Sequence, residues 1–134
     1  MFSGSPAQGA KAYQNTGAHG QVAAADPKRL IALLLAGAID RIAEARGHLE
    51  RSDVARKGEA LGRAVAIIGE LNGSLDLARG GEIAANLRSL YDYAGRRLTE
   101  ANLRNDASVL DEVAGLLREI KAGWDAISAP ATVT

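Results

Sequence analysis

Hydrophobic residues recur along most of the chain with the three-to-four spacing of amphipathic helices. The first stripe starts just after Asp26-Pro27, where a carboxylate N-cap would precede a proline at the first helical position. Its apolar members are Ile31, Leu34, Leu35, Ala38, Ile42, Ala45 and Leu49. This i, i+3, i+4, i+7 spacing predicts a helix that ends near Leu49 and buries one face.

A second stripe predicts a helix from about Val54 to Ala78, ended by Arg79-Gly80-Gly81. Its inward positions are Leu61, Ala64, Val65, Ile68, Leu71 and Leu75. A third helix is predicted from Glu82 to about Arg104. Its inward positions are Ile83, Leu87, Leu90, Tyr91, Ala94, Leu98 and Ala101.

The pair Asn105-Asp106 breaks the chain and caps a fourth predicted helix, which ends before Pro130. Its apolar positions form a single face, made of Val109, Val113, Leu116, Leu117, Ile120, Trp124 and Ile127. No segment shows the alternation of a strand. The sequence therefore predicts an all-α protein of four helices, each about 30 Å long.

The predicted connections of two to five residues force neighbouring helices to run antiparallel, which predicts an up-down-up-down four-helix bundle. We assign residues 21–128 to this bundle domain. Residues 1–20, rich in Gly, Ala, Ser, Gln and Asn, are expected to form a mobile N-terminal tail. Residues 129–134 are expected to form a disordered C-terminal end.

Several small or apolar residues are left over once each helix has one buried stripe. Leu30, Leu33 and Gly37 form a second patch roughly opposite the core side of the first helix, and Ile67, Tyr93 and Leu103 also lie off their stripes. Such residues suggest apolar grooves wider than a monomer needs, a mark of a protein–protein surface. Tyr91 is expected to pack inward, whereas Tyr93, two positions further on, stays at the surface.

Four glycines lie beside the buried stripe of the second helix: Gly58, Gly62, Gly69 and Gly73. Each costs a helix interior roughly 0.8–1 kcal/mol relative to alanine, so the sequence tolerates a sizeable penalty there. Two interpretations stay open: close packing between two helices of the bundle, or a smooth track for an external partner.

Composition excludes several classes of function. The 134 residues are 47% hydrophobic and 24% charged with a formal net charge of zero, so we expect no nucleic-acid partner. There is no cysteine, which excludes disulfides and thiolate chemistry. The uncharged run from Leu30 to Ile39 is about half the ~20 residues that span a bilayer, and it starts too far into the chain for a secretory signal. We therefore expect no membrane insertion.

Residues that carry chemistry are sparse. The two histidines, His19 and His48, form no i, i+4 pair and no Glu-x-x-His motif, so no catalytic residue, metal ligand or cofactor is expected. Asp111 and Glu112 are interpreted as first-turn carboxylates that suit the helix dipole. Arg96-Arg97 is interpreted as a solvated face that an acidic partner could also use. One enzymatic alternative is a histidine phosphotransfer bundle that uses His48, which lies close to Glu50 and near a helix end.

Four segments carry a resemblance to a known family: "KAYQNTGAHGQVAAADPKRLIALLLAGAID", "SDVARKGEAL", "IIGELNGSLDLARGGEIAANLRSLYDYAGRRLTEANLRND" and "LDEVAGLLREIKAGWDAI". Over roughly residues 11–127 the chain resembles the flagellar secretion chaperone FliS. The resemblance implies a chaperone of the bacterial cytosol that binds the disordered C-terminal segment of flagellin in apolar grooves. It would prevent premature polymerisation and keep flagellin competent for the flagellar type III export gate.

The same resemblance implies the partner-binding residues. Tyr13 matches a tail tyrosine that shares the flagellin groove in the family. The groove itself matches at Leu30, Ile31, Leu33, Leu34, Ile68, Leu71, Leu87, Tyr91, Tyr93 and Leu98. The sequence departs from the family pattern at Leu35, Ala36 and Ala94, so the resemblance does not define the details of the groove or which flagellin is selected. A self-associating structural bundle, forming a homodimer through the same grooves, is the alternative outside enzymes.

Overall fold

The computed structural model describes residues 26–128, and this part of the chain is almost entirely helical, with no strand among these residues. Its helices are α1 (Pro27–Glu50), α2 (Val54–Gly73), α3 (Leu77–Arg104) and α4 (Ala107–Ser128). Each helix packs on its neighbours in the chain, and α4 returns to pack on α1. The prediction of an all-α four-helix bundle is confirmed. The predicted tail and C-terminal end lie outside the described residues.

Every helix begins just after an aspartate whose side chain accepts a hydrogen bond from a backbone N–H of the first turn. Asp26 accepts from the Lys28 N–H at 2.9 Å. The other three caps act in the same way at 3.1 Å, and they are Asp53, Asp76 and Asp106. A cap of this kind contributes typically ~1 kcal/mol. These carboxylates set the positions at which the chain turns from one helix into the next.

The predicted boundary between the second and third helices is wrong. α2 ends at Gly73 rather than Ala78, and α3 begins at Leu77 rather than Glu82. The Ser74 hydroxyl donates to the Leu71 carbonyl at 2.6 Å, and Asp76 then caps the new helix. The cap at Asp76 was the missed signal. The Gly80-Gly81 pair interrupts α3 near its start rather than ending α2, because Gly81 has a φ of 54° and a ψ of −128°.

We expect Gly81→Ala to destabilise the bundle by roughly 1–2 kcal/mol, because a side chain at positive φ is strained. Gly69→Ala is the matched control, since its Cβ would meet nothing within 4 Å and its backbone is helical. That substitution should stabilise the protein by up to ~1 kcal/mol through helix propensity. Urea unfolding followed by circular dichroism measures both. Equal shifts for the two variants would contradict the strain at Gly81.

The core is a single cluster of aliphatic residues from all four helices with one tyrosine, Tyr91, that is 3% exposed. Tyr91 packs inward as predicted, and its burial raises the pKa of its hydroxyl. The residues with no exposure at all include Leu35, Ala38, Ala64, Ala94, Leu98, Leu110, Val113 and Leu117. Alanine is frequent at these positions, so the helices approach closely along the axis of the bundle.

Three residues predicted to face the core are exposed instead. Ile83 is 73% exposed and Leu90 is 36% exposed, both on α3, and Ile127 near the end of α4 is 77% exposed. Ile83 lies just after the break at Gly81 near the start of α3, and Ile127 lies next to the end of α4, so both are at the same end of the bundle. Leu90 lies at the edge of its stripe, on the side of α3 that faces α4. Contact between α3 and α4 is the least extensive of the four helix pairs that pack in this bundle. A helical stripe therefore does not decide burial at its edge.

The off-stripe residues of α1 and α2 have a different outcome. A Cβ on Gly37 would lie 3.6 Å from Cδ1 of Ile67, so this part of the patch faces the other helix rather than solvent. Among the four glycines of α2, a Cβ on Gly58 would lie 3.8 Å from Asn102. Added Cβ atoms at Gly62, Gly69 and Gly73 would have no neighbour within 4 Å. Close helix packing therefore does not account for these three positions.

Lys57 is the one charged side chain buried among the described residues, at 1% exposure. Its Nζ donates to the Asn102 carbonyl at 2.8 Å and to Oδ1 of Asn105, the left-handed residue that ends α3. A cation at a helix C-terminus satisfies carbonyls that have no partner within the helix and interacts favourably with the helix dipole. Lys57 therefore joins the start of α2 to the end of α3.

We expect Lys57→Met to lower the free energy of unfolding by about 2 kcal/mol, since two acceptors lose a charged donor. Removing the buried lysine also removes the cost of desolvating its charge. The expected loss of stability is therefore smaller than the contribution of two charged hydrogen bonds. Arg56→Met, at a neighbouring exposed position, is the control and should change stability by less than ~0.5 kcal/mol. Thermal unfolding measures both. A Lys57→Met variant as stable as the wild type would contradict this role.

Candidate protein-binding surface

An apolar row runs along the outer edge of α3. Ile83, Leu87 and Leu90 follow one another at i, i+4, i+7 spacing and so lie on one side of the helix. Ile83 and Leu90 are exposed, and Leu87 is half-buried against the core. Burying one such side chain against a partner contributes roughly 1.5–3 kcal/mol, so the row is costly to leave in water.

A matching row runs along α4. Leu116, Ile120 and Ile127 lie at i, i+4 and i+11 and therefore share one side of that helix. Leu116 and Ile120 are half-buried and Ile127 is exposed. The two helices run antiparallel, which places the first half of α3 beside the second half of α4. Together the two rows form what we call the apolar strip, made of Ile83, Leu87, Leu90, Leu116, Ile120 and Ile127.

The apolar strip ends at a group of polar side chains that joins the two helices. Tyr93 and Arg97 continue the row of α3, and Glu112 precedes Leu116 by one turn on α4. The Tyr93 hydroxyl donates to Glu112, and Arg97 donates to the same carboxylate at 3.1 Å from Nη2 and to Glu100 at 2.7 Å from Nη1. We call these four residues the clasp. It closes the seam between α3 and α4 at one end and leaves the other end apolar.

The clasp is charged at neutral pH. Hydrogen bonds from Tyr93 and Arg97 lower the pKa of Glu112, and its bond to Glu112 raises the pKa of the Tyr93 hydroxyl. A carboxyl with a depressed pKa keeps its interactions above its ordinary pKa of about 4.3 and loses them only as the pH falls through the lowered value. The clasp is therefore intact across the neutral range. It loses its bonds to Glu112 as the pH falls through the lowered pKa of that carboxyl, and it loses the Tyr93 bond as the pH rises through the raised pKa of the hydroxyl.

Acidic residues border the apolar strip on its outer side. Glu82 lies one turn before Asn86 and two before Leu90, and Glu119 lies between Leu116 and Gly123 on α4. Both carboxylates are exposed. Neither forms an ion pair within the described residues, whereas the carboxylates of the clasp are paired with Arg97. The border therefore carries net negative charge, which suits an apolar partner with flanking lysines or arginines.

A second concave region lies between α1 and α4 and has a different character. This open groove has a volume of about 390 Å³, and charged side chains line much of it. Arg46 donates to Asp111 at 2.6 Å and to Glu50 at 2.7 Å. Covering these paired charges would cost desolvation energy with little apolar area in return. The prediction that Asp111 and Glu112 lie in the first turn of α4 is wrong, because both are in its second turn. There they pair with Arg46 on α1 and Arg97 on α3.

The structure separates the predicted partner-binding residues into three groups. Five are buried in the core: Leu34, Ile68, Leu71, Tyr91 and Leu98. Five are half-buried: Leu30, Ile31, Leu33, Leu87 and Tyr93. Tyr13 lies outside the described residues. Of these predicted residues, only Leu87 belongs to the apolar strip, and Tyr93 borders it. The most exposed residues of the strip are Ile83, Leu90 and Ile127, which the sequence pattern predicts to face the core.

No other chemistry competes with this surface in the described range. Among residues 26–128, no group of three His, Cys, Asp or Glu side chains is placed to hold a metal ion. Nor does any helix in that range have the length and apolar content needed to cross a membrane. His48 is half-buried, and its Nδ1 lies 3.1 Å from the Arg51 guanidinium. The geometry defines a helical bundle with an apolar surface that no other residue of the range 26–128 covers, and such bundles are typical of proteins that bind other chains.

Comparison with known proteins gives the family. The family described as "Flagellar protein FliS" matches residues 9–131. A flagellar secretion chaperone FliSB of Pseudomonas aeruginosa is 52% identical over 118 residues, which cover 88% of this chain and 94% of that protein. The FliS chaperone of Salmonella typhimurium is 48% identical over 127 residues, covering 94% of each chain. The FliS chaperone of Bacillus subtilis is 37% identical over 113 residues, covering 84% of this chain and 80% of the relative.

The chain therefore belongs to the FliS family, as the resemblance in sequence indicated. The curated relatives named above are flagellar secretion chaperones. Membership in a family of chaperones favours a binding role over the phosphotransfer alternative at His48.

Proposed function

We propose that this protein is a cytosolic flagellar export chaperone that binds the disordered C-terminal segment of flagellin and presents it to the flagellar type III export gate. The observation that carries the proposal is the apolar strip of this chain, in which Ile83 and Ile127 are more than 70% exposed. Membership in a family of secretion chaperones supports the same function. Covering the strip would also prevent the flagellin segment from assembling prematurely.

The mode of binding follows from the chemistry of the strip. Its residues recur on two neighbouring helices, and an amphipathic helix laid along the seam would bring its own apolar face against both. The half-buried Tyr93 would border the contact at the clasp, and the half-buried Leu30, Ile31 and Leu33 on α1 would be reached by a further part of the same segment. The buried Leu34, Ile68, Leu71, Tyr91 and Leu98 would support the bundle from within. A disordered segment loses roughly 2–5 kcal/mol on ordering, so the net affinity is lower than the buried area suggests. Release then requires no covalent step.

The first test is a thermal shift with a synthetic peptide of the flagellin C-terminal segment. At a peptide concentration of about 100 Kd, binding adds roughly 2.7 kcal/mol to stability. For a domain of this size, such a gain raises the Tm by on the order of 10 °C. If a high peptide concentration produces no thermal shift and no calorimetric heat, the proposal is wrong.

A pull-down with full-length and C-terminally truncated flagellin locates the bound segment. Capture of only the full-length protein supports the proposal, and equal capture of both contradicts it. Light scattering addresses the alternative of a self-associating bundle. A dimer that persists when flagellin is added would mean that the apolar strip serves self-association.

The family resemblance predicts that the tail and flagellin compete, and Tyr13 is the residue to test. If its ring covers part of the binding surface, Tyr13→Ala should tighten flagellin binding by up to about tenfold, the equivalent of losing one favourable apolar contact in the free chaperone. Tyr13→Phe keeps the ring and is the control. Titration calorimetry measures the change. Identical affinities for the wild type and Tyr13→Ala would show that Tyr13 does not compete.

A further inference from the structure

The clasp contributes little to folding stability. All of its ion pairs are solvent-accessible: the Arg97 side chain is 31% exposed, that of Glu112 42% and that of Glu100 47%. Exposed pairs of this kind typically contribute less than ~1 kcal/mol. Four residues from two helices therefore come together for a small gain in folding stability. This indicates that the clasp has a local role at the seam between α3 and α4.

The position of the clasp indicates what that role is. The α3 row passes from Leu90 directly into Tyr93 and Arg97, and the α4 row passes from Leu116 directly into Glu112. The surface therefore changes from apolar to ionic within one helical turn on both sides of the seam. Any chain lying along the seam meets this change at the same point on both helices.

The length of the strip can be read from the helix rise. Ile83 and Leu90 are about 10 Å apart along α3, and Leu116 and Ile127 are about 16 Å apart along α4. A helix of about three turns covers that distance. A longer apolar face would extend over the clasp and bury Glu112 and Arg97 beneath hydrocarbon, where the desolvated charges oppose binding.

We propose that the clasp is a specificity device that sets the length of the partner's apolar face at about three helical turns. The preferred occupant is an amphipathic helix with cationic flanks, because Glu82 and Glu119 border the strip without a partner in the described range. This inference rests on the proposed function and adds the residues that select among segments. Beyond three turns, a bound helix must present polar groups to the clasp.

The test compares two stapled amphipathic peptides with leucine anchors and lysine flanks, one of about three turns and one of about five turns. Both carry the same net charge and are titrated by fluorescence anisotropy. The wild type should bind the shorter peptide at least about threefold more tightly, because the extra apolar turns of the longer peptide lie over the charged clasp. An Arg97→Met/Glu112→Leu variant should prefer the longer peptide by about tenfold or more, because its strip continues past the former clasp.

The control is Arg96→Met/Asp125→Leu, which removes one exposed cation and one exposed acid from the same two helices outside the clasp. This variant should keep the wild-type ratio of affinities for the long and short peptides. Circular dichroism establishes that each variant is folded. Tyr93→Phe removes one hydroxyl from the clasp and provides a second variant. Its ratio of affinities for the long and short peptides should lie between those of the wild type and the Arg97→Met/Glu112→Leu variant.

Equal length preference in the wild type and the clasp variant would overturn the inference, and so would a wild type that already prefers the long peptide tenfold. Failure of both peptides to bind the wild type would overturn it too. Flagellin capture is scored separately in the same preparations. If the wild type still captures flagellin while the peptide test fails, the proposed function is retained and the role of the clasp is rejected.

Discussion

A Leu98→Ala variant should unfold with a free energy about 3 kcal/mol below that of the wild type, the middle of the range for a fully buried leucine. Leu98 has no exposed surface and lies in the cluster contributed by all four helices. Removing its branched end deletes apolar contacts and leaves a cavity that closely packed helices cannot fill. The Tm should fall by roughly 15 °C for a domain of this size.

Leu103→Ala is the matched control for this experiment. Leu103 lies on the same helix, the substitution removes the same atoms, and the side chain is 79% exposed. Its stability should stay within ~0.5 kcal/mol of the wild type. The comparison also tests the resemblance-based role of Leu98. If Leu98→Ala kept full stability but lost flagellin binding, Leu98 would act in the partner surface rather than in the core.

The second large effect should appear in binding rather than in folding. An Ile83→Glu/Leu90→Glu variant should bind the flagellin C-terminal segment at least about 100-fold more weakly, since two apolar contacts are lost at 1.5–3 kcal/mol each and charges are left to desolvate. Ile83 is 73% exposed, so its substitution should leave the Tm of the free protein nearly unchanged. Leu90 is 36% exposed, so its substitution should lower the Tm by about 5 °C. Titration calorimetry measures the affinity.

Leu103→Glu controls for added negative charge on the same helix, because Leu103, like Ile83, is more than 70% exposed and lies away from the seam with α4. It should keep wild-type affinity within about threefold. Weakening by both variants alike would assign the effect to general charge repulsion. Unchanged binding by Ile83→Glu/Leu90→Glu would exclude the apolar strip as the flagellin surface.

The helix boundaries show how local the information in the sequence is. Asp26-Pro27 and Asn105-Asp106 mark helix ends because a cap needs only its own side chain and the next few backbone groups. The end of α2 was predicted wrongly because two signals competed within eight residues, Asp76 and Gly80-Gly81. The cap at Asp76 starts a helix that continues through the turn at Gly81.

The clasp was not predictable from the pattern of residues. Tyr93, Arg97 and Glu112 read singly as surface residues, because the hydrogen bonds that join them cross between two helices. The buried Lys57 was missed for the same reason. Its acceptors are 45 and 48 residues further along the chain. A periodicity describes one helix at a time and contains no distance between helices.

The sequence by itself determined the helical class, the number of helices, most of their ends and, through long matching segments, the FliS family. These features depend on local hydrogen bonding and on a 3.6-residue period, both of which are written into short stretches of chain. The tertiary structure alone decided which edge of each apolar stripe is buried. That outcome depends on how closely neighbouring helices approach and on where the bundle ends. Limited contact between α3 and α4 leaves Leu90 partly in solvent, and Ile83 and Ile127 are exposed near the start of α3 and the end of α4.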